Sequence, residues 1–373
     1  MSPSADRPMQ GKSGFRGLKV VAKIPESSLV TSFHLQAADG SALPAFRPGQ
    51  FLVFKIPSTD AKGHVLRNYS LSGNPDDRSH YRISVKREPS AGAGLPAGFS
   101  SNYLHDHISV GDMLTVDGPR GEFVLDETSA RPVVLLSGGV GLTPMVAMLH
   151  ALARRSARRT LFLHACENGD VHALRDEVNT LISLRAGLSA QVSYRTPNAA
   201  DRAANHFHSE GFITREVLQS LLPLDDYDFY LCGPPAFMQA MYQTLRALGV
   251  AKNRIAYEFF GPATVLGAEA GPKPITPPSV AAPAPSVGAI TVEFRKSGII
   301  AEWDEAAQSL LSFAEDHGLE PEFSCRAGIC GTCKSRMVSG EVTYFEDPLD
   351  DEMAANEVLL CCTRPKTAVV LDL

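Results

Sequence analysis

The chain has 373 residues, 44% of them hydrophobic and 20% charged, with a formal net charge of −6. That length allows two or three domains with separate cores, and the proportions are ordinary for a globular protein. No uninterrupted apolar run reaches the roughly 18 residues of a membrane span, and the charges form no nucleic-acid footprint, so neither kind of partner is expected.

The first segment, "MSPSADRPMQGKSG" (residues 1–14), lacks the apolar centre of a signal peptide and reads as a flexible terminus. A cytoplasmic protein with reduced thiols follows as the expectation, which turns clustered cysteines toward metal chemistry. From 15 to 126, short apolar runs separated by turn residues ("LKVVAKI", "FLVFKI", "YRISVK", "MLTVDGP") predict an antiparallel β-barrel. Inside it, "RNYS" sets Arg67 and Tyr69 on one face of a strand, where a cation can meet a phosphate and a flat ring can stack, followed by the hydroxyl of Ser70. "GFSSNYL" (Gly98–Leu104) offers a glycine and two serines ahead of a helix, suited to a second phosphate.

From 127 to 262 apolar strands alternate with helical patterns, the rhythm of a parallel α/β sheet. In "SGGVGLTPM" (Ser137–Met145), Gly138, Gly139 and Gly141 admit close approach of backbone N–H groups to a phosphate, and Thr143 is placed to cap the helix with Pro144 at its first position. The pattern departs from GxGxxG, because Pro144 stands where the third glycine would be, and a purely structural turn reads equally well. Glu167, after the next strand, can accept from ribose hydroxyls, and no arginine pair beside it suggests a 2′-phosphate site, which favours NADH over NADPH. "YLCGPPAFM" repeats the strand–glycine–helix arrangement with Cys232, Gly233 and Pro234; a cysteine there is more often a small core residue than a reactive one.

Residues 263–288 form a proline-rich linker; seven prolines fall between Pro262 and Pro285. The module from 289 to 373 is acidic: from Val287 onward the balance is −9, against +3 for the rest. "AITVEFRKSGIIAEW" predicts a hairpin turning at Ser297–Gly298, "EAAQSLLSFAEDHG" a helix, and "AVVLDL" a closing strand, together an α+β, β-grasp fold. Cys325, Cys330 and Cys333 follow C-x4-C-x2-C, the plant-type [2Fe–2S] spacing, and not the paired C-x2-C of structural zinc. The fourth ligand is open between Cys361 and Cys362, which would face opposite ways on an extended segment.

RxYS, GxxS, GGxGxTP and CGP in this order resemble the ferredoxin–NADP reductase superfamily, over roughly residues 15 to 262. "HACENGDVHALRDEV", "FYLCGPPAFMQ" and "YEFFGP" are similar to the reductase half of flavohaemoglobins, although only about 16 residues precede the barrel and haem chemistry is not expected. The resemblance implies that Arg67, Tyr69 and Ser70 hold a flavin, with Ser70 near the ring nitrogen that takes the hydride. It also implies that Ser101 meets the FAD pyrophosphate, that Cys232 lies near the nicotinamide, and that Phe260 lies against the flavin. FAD is preferred to FMN, which a branch of the superfamily with a fused ferredoxin uses. The last module resembles a plant-type ferredoxin, whose final ligand commonly precedes a proline by four positions; that implies Cys361 before Pro365. The expected function is an NADH-oxidising reductase passing electrons through FAD and its own [2Fe–2S] cluster to a partner protein, a Rieske or other non-haem iron oxygenase. The alternatives are a flavin reductase acting directly on a small molecule or metal ion, and a non-enzymatic redox sensor.

Overall fold

The computed structural model describes residues 14–59, 63–89, 98–260 and 290–373, apart from 306, 320, 324–327, 329–330, 346–347 and 349–352. The chain divides into two compact units, Met1–Phe260 and Gly261–Leu373. The expected linker lies almost wholly within 261–289, outside the described residues. Among the described residues no helix is long and apolar enough to cross a membrane.

The first unit opens with six antiparallel strands: β1 (Arg16–Pro25), β2 (Val30–Ala37), β3 (Phe51–Pro57), β4 (His64–Ser70), β5 (Tyr81–Lys86) and, after helix α1 (Phe99–His107), β6 (Met113–Arg120). Their order is β4-β3-β6-β1-β2-β5, and a bridge from Leu71 to Ile83 draws the two edges together. Alternation along these strands sends Leu18, Val20, Phe33, Leu35, Phe54 and Ile83 into one core. Each such side chain contributes about 1.5–3 kcal/mol on burial.

The second fold of this unit runs β7 (Val133–Gly138), α2 (Leu142–Arg155), β8 (Thr160–Cys166), α3 (Arg175–Ser183), β9 (Leu188–Tyr194), α4 (Ala199–Ala204), β10 (Ser209–Glu210), α5 (Arg215–Leu221), β11 (Asp228–Gly233), α6 (Pro235–Ala247) and β12 (Ile255–Phe259). The strands are parallel in the order β10-β9-β8-β7-β11-β12. β7 is buried along its whole length, as a central parallel strand must be. Every residue of α2 from Leu142 to Ala153 is buried, because the helix is covered on two sides: most of it joins the sheet core, while Ala147 joins the barrel core.

Glu177 of α3 fastens barrel to sheet. Arg82 of β5 donates to both of its carboxylate oxygens, at 2.6 and 2.9 Å, and His150 Nε2 of α2 lies 2.5 Å from it. Burial works to raise this carboxyl, but the hydrogen bonds from His150 and Arg82 win and hold it at about 2.

The second unit contains β13 (Thr291–Phe294), β14 (Ile299–Glu302), α7 (Leu310–Asp316), β15 (Lys334–Ser339), β16 (Val342–Tyr344), β17 (Glu357–Leu359), β18 (Thr363–Pro365) and β19 (Val369–Leu371). A five-stranded sheet, β14-β13-β19-β15-β17, is accompanied by the pair β16-β18. The β13–β14 hairpin turns at the expected place, with Gly298 at φ +71°. The helix is shorter than expected: it begins at Leu310, because Ser309 accepts from Ser312 N–H and caps it there.

Candidate functional site

In an open parallel sheet, ligands collect beyond the carboxyl ends of the strands where the strand order reverses. Here that point lies between β7 and β11. The two glycine-containing loops found in the sequence leave the sheet at this crevice, but their glycines do different jobs. A Cβ on Gly141 would sit 2.5 Å from the Cys232 carbonyl carbon and 2.7 Å from Gly233 N, all backbone. One on Gly138 would meet the Phe237 ring at 2.9 Å, and one on Gly233 would meet the same ring at 2.7 Å. These three glycines let the loops pack against each other. Gly139, at φ +51°, has nothing within 4 Å and alone of the loop glycines examined faces open space.

Thr143 does not cap α2. The helix starts at Leu142 behind Gly141, and the Thr143 hydroxyl donates back to Val140 O at 3.1 Å. A single 3₁₀ turn, Gly139–Gly141, runs straight into the helix and moves its start ahead of the threonine; Pro144 stands at the third helical position, where no intrahelical N–H is needed. Pro234 precedes α6, and Pro235 opens it.

Four polar side chains stand in register across the carboxyl ends of adjacent strands: Glu258 on β12, Cys232 on β11, Ser137 on β7 and His164 on β8. Cys232 is fully buried; burial, and after it the carboxyl of Glu258, push its thiol well above the ordinary range. The thiol is therefore a neutral wall of the crevice. Glu258 Oε2 is buried without a hydrogen-bond partner among the described residues. Burial pushes this carboxyl up to about 8, against a hydrogen bond with the Ser70 hydroxyl that pulls it down. Ser70, buried at the end of β4, thus meets a carboxyl that stays protonated at neutrality, and one carboxyl oxygen is left facing inward. The sequence reading passed over Glu258; in "IAYEF" alternation sets it on the face of the exposed Ala256, so the strand pattern gave no signal of its burial.

A carboxyl raised in the folded state contributes stability below its ordinary value of 4.5 and loses it as pH rises toward about 8. Glu258→Gln keeps the shape and removes the ionisation. Relative to wild type, its Tm is expected to rise steadily between pH 5 and 8, followed by thermal unfolding of the full chain. A constant difference across that range would refute the assignment.

On β4, Tyr69 packs edge-on against Phe54 at 5.4 Å, and burial pushes its phenol upward. Arg67 is exposed and, among the described residues, donates to Leu66 O at 2.7 Å, so its guanidinium retains donors for a ligand. The Ser101 hydroxyl is engaged within the protein, donating to Gly98 O at 3.0 Å and accepting from Glu88 N at 3.2 Å. Its neighbour Ser100, the other serine of that stretch, has a buried hydroxyl in the first turn of α1 with no partner among the described residues. Phe260 packs against the core cluster that contains Cys232 and Phe123.

Glu167 is exposed beyond β8, accepting from the Thr196 hydroxyl and lying 3.6 Å from Arg195 Nη1. The sequence showed no arginine pair beside this acid; one arginine, Arg195, 28 residues on, arrives from the end of β9, and its guanidinium lies 5.4 Å over the exposed Phe212 ring. Both partners are largely exposed, so the pair is weak and the arginine can be recruited by a ligand phosphate.

In the second unit, Cys333, Cys361 and Cys362 are buried in one cluster. Cys325 and Cys330 lie outside the described residues. Gly328, between them, donates its N–H to Cys361 Sγ at 3.3 Å, while a Cβ on it would come within 2.9 Å of Cys362 Sγ. Cys361 and Cys362 do not lie on an extended segment: Leu360–Cys362 is a 3₁₀ turn, which brings both sulfurs to the same glycine. Cys362 Sγ instead contacts Leu359 O at 3.7 Å, so of the two sulfurs it is Cys361 Sγ that accepts the glycine N–H.

Buried thiols with a backbone N–H aimed at sulfur suit a [2Fe–2S] cluster, and the Glu258 oxygen, unpartnered among the described residues, suits a polar cofactor at the crevice. The chain matches an oxidoreductase FAD-binding domain over residues 17–125, an oxidoreductase NAD-binding domain over 135–243 and a 2Fe-2S iron-sulfur cluster binding domain over 292–366. It is 43% identical over 257 residues to a flavohemoprotein of Bacillus cereus and 45% identical over 252 residues to one of Bordetella pertussis. These alignments take in 69% and 67% of this chain but only 63% and 62% of those proteins. Among solved structures, the flavohem-like FAD/NAD-binding domain of a nitric oxide dioxygenase from Vibrio cholerae is 40% identical, with a TM-score of 0.58 over 66% of this chain and 99% of that one. Phthalate dioxygenase reductase, described as a modular structure for electron transfer from pyridine nucleotides to [2Fe–2S], is 26% identical, with a TM-score of 0.56 over 96% of this chain and 98% of that one.

Proposed function

Because the chain belongs to the ferredoxin–NADP reductase superfamily, an oxidoreductase with FAD-binding, NAD-binding and [2Fe–2S] domains in that order, we propose that it draws electrons from NADH and delivers them singly to a cytoplasmic partner protein, a terminal oxygenase of the Rieske or other non-haem iron type. One observation carries this reading: the likeness to phthalate dioxygenase reductase extends over both chains nearly end to end, ferredoxin module included. A bound flavin would take the electron pair of one hydride and supply electrons one at a time, as a one-electron cluster requires.

The protein's own residues bind, orient and hold protons. Arg67 offers its guanidinium to a flavin phosphate and Tyr69 its ring to the flavin plane. Ser70 meets the ring edge, and Glu258, kept protonated by burial, holds the Ser70 hydroxyl by a hydrogen bond. Gly139 opens the phosphate approach, Glu167 receives ribose hydroxyls, and Cys232 with Phe260 shapes the nicotinamide end of the crevice. Cys325, Cys330, Cys333 and Cys361 hold the irons.

Mixing the full-length protein with NADH in a stopped-flow instrument tests the order of events. Flavin absorbance is expected to bleach first and the cluster bands to follow. A bleached flavin beside a cluster that stays oxidised overturns the route. That outcome would favour a second reading, direct reduction of a small acceptor by the flavin, to which the higher identity with flavohemoproteins lends support.

A further inference from the structure

The phenol of Tyr344 stands where the cluster reading leaves an unclaimed donor. The residue ends β16, which pairs antiparallel with β18, Tyr344 opposite Thr363, directly after the turn that carries Cys361 and Cys362. Phe345 N donates to Cys362 O at 3.1 Å, fixing the end of β16 against the cysteine pair. The ring packs on the core cluster that contains Cys333, Cys361 and Cys362. Its hydroxyl is buried and has no hydrogen-bond partner among the described residues. Competing acceptors nearby are already used: Leu359 O receives the Thr363 hydroxyl at 2.9 Å and the Cys362 thiol at 3.7 Å. The Leu359 backbone lies beside the phenol oxygen, and Cys362, Cys333 and Cys361 are within electrostatic reach of it.

A buried O–H without an acceptor costs about 1–3 kcal/mol, and native proteins seldom leave one so. Sulfur atoms of an iron–sulfur centre are acceptors, and hydrogen bonds to them are among the levers that set its potential. We infer that Tyr344 donates a hydrogen bond to a sulfur of the [2Fe–2S] centre and thereby raises its reduction potential. The proposal rests on the cluster assignment given above. No bond forms or breaks and the proton stays on the phenol oxygen; one electron supplied from NADH through the flavin adds negative charge to the sulfurs, and Tyr344 stabilises that charge. Tyr344 is a positioning and tuning residue, not a ligand.

The test compares full-length wild type with Tyr344→Phe, which keeps the ring and removes only the hydroxyl. Redox titration followed by electron paramagnetic resonance is expected to show a lower midpoint in the variant, by up to about tenfold in the one-electron equilibrium, or about 59 mV. Resonance Raman spectra of wild type transferred to D2O are expected to show an isotope shift of iron–sulfur modes that is reduced in Tyr344→Phe. The isotope shift is measured on wild type as well, so the test survives a variant that loads poorly. An unchanged midpoint, or an isotope shift equal in both proteins, overturns the role of Tyr344 while leaving the cluster assignment intact. Absence of any [2Fe–2S] signal in reconstituted wild type overturns both.

Discussion

Replacing Cys361 by alanine is expected to abolish the [2Fe–2S] absorption while leaving flavin reduction by NADH at the wild-type rate; Cys362→Ala is expected to keep the cluster. Both sulfurs are buried and both lie against Gly328, so burial and proximity do not separate them. The separation comes from direction: the Gly328 N–H points at Cys361 Sγ, and a charge-assisted hydrogen bond of that kind favours the thiolate a metal requires. The effect on Cys361→Ala is all or none, because a plant-type centre needs four thiolates and the other three do not close it. Iron and sulfide analysis of the two purified variants, beside their visible spectra, decides the matter; a cluster retained by Cys361→Ala and lost from Cys362→Ala would reverse the assignment.

Gly141→Ala is expected to be the most damaging single methyl in the nucleotide fold. The added carbon would press on the Cys232 carbonyl and on Gly233 N, neither of which can turn aside as a flexible side chain would. Overpacking against backbone costs about 3 kcal/mol or more. In a unit of this size that corresponds to a fall of about 6–12 °C in the transition at which flavin fluorescence is released. Gly139→Ala is the matched control: the space is open, and only the left-handed backbone is penalised, by about 1–2 kcal/mol. Equal transitions for Gly141→Ala and wild type would show that β7 and β11 are not in the close contact described.

Much of this architecture was legible because it is local. Alternation announced the barrel strands, continuous apolar runs announced β7 and β11, and C-x4-C-x2-C announced the ferredoxin module. What escaped was set by partners distant in sequence. Arg195 reaches Glu167 only because two parallel strands end side by side, and nothing within a few residues of Glu167 signals it. Glu258 acquires its role from Ser70, nearly two hundred residues earlier. Thr143 looked like a cap since Thr-Pro commonly opens helices, but the preceding 3₁₀ turn had already begun this one. The two adjacent cysteines were read as an extended pair, and the turn they form depends on contacts with Cys333 O and Gly328.

The Arg82–Glu177–His150 chain decides where this polypeptide can be cut and transplanted. Severing barrel from sheet near residue 127 would strand Glu177 from Arg82 and leave two half-sheltered charges without a counterpart. Severing the chain in the proline-rich stretch leaves that fastening whole. The first 260 residues therefore form a cassette that gene fusion can carry as one piece, to be joined to whatever carrier the next host requires.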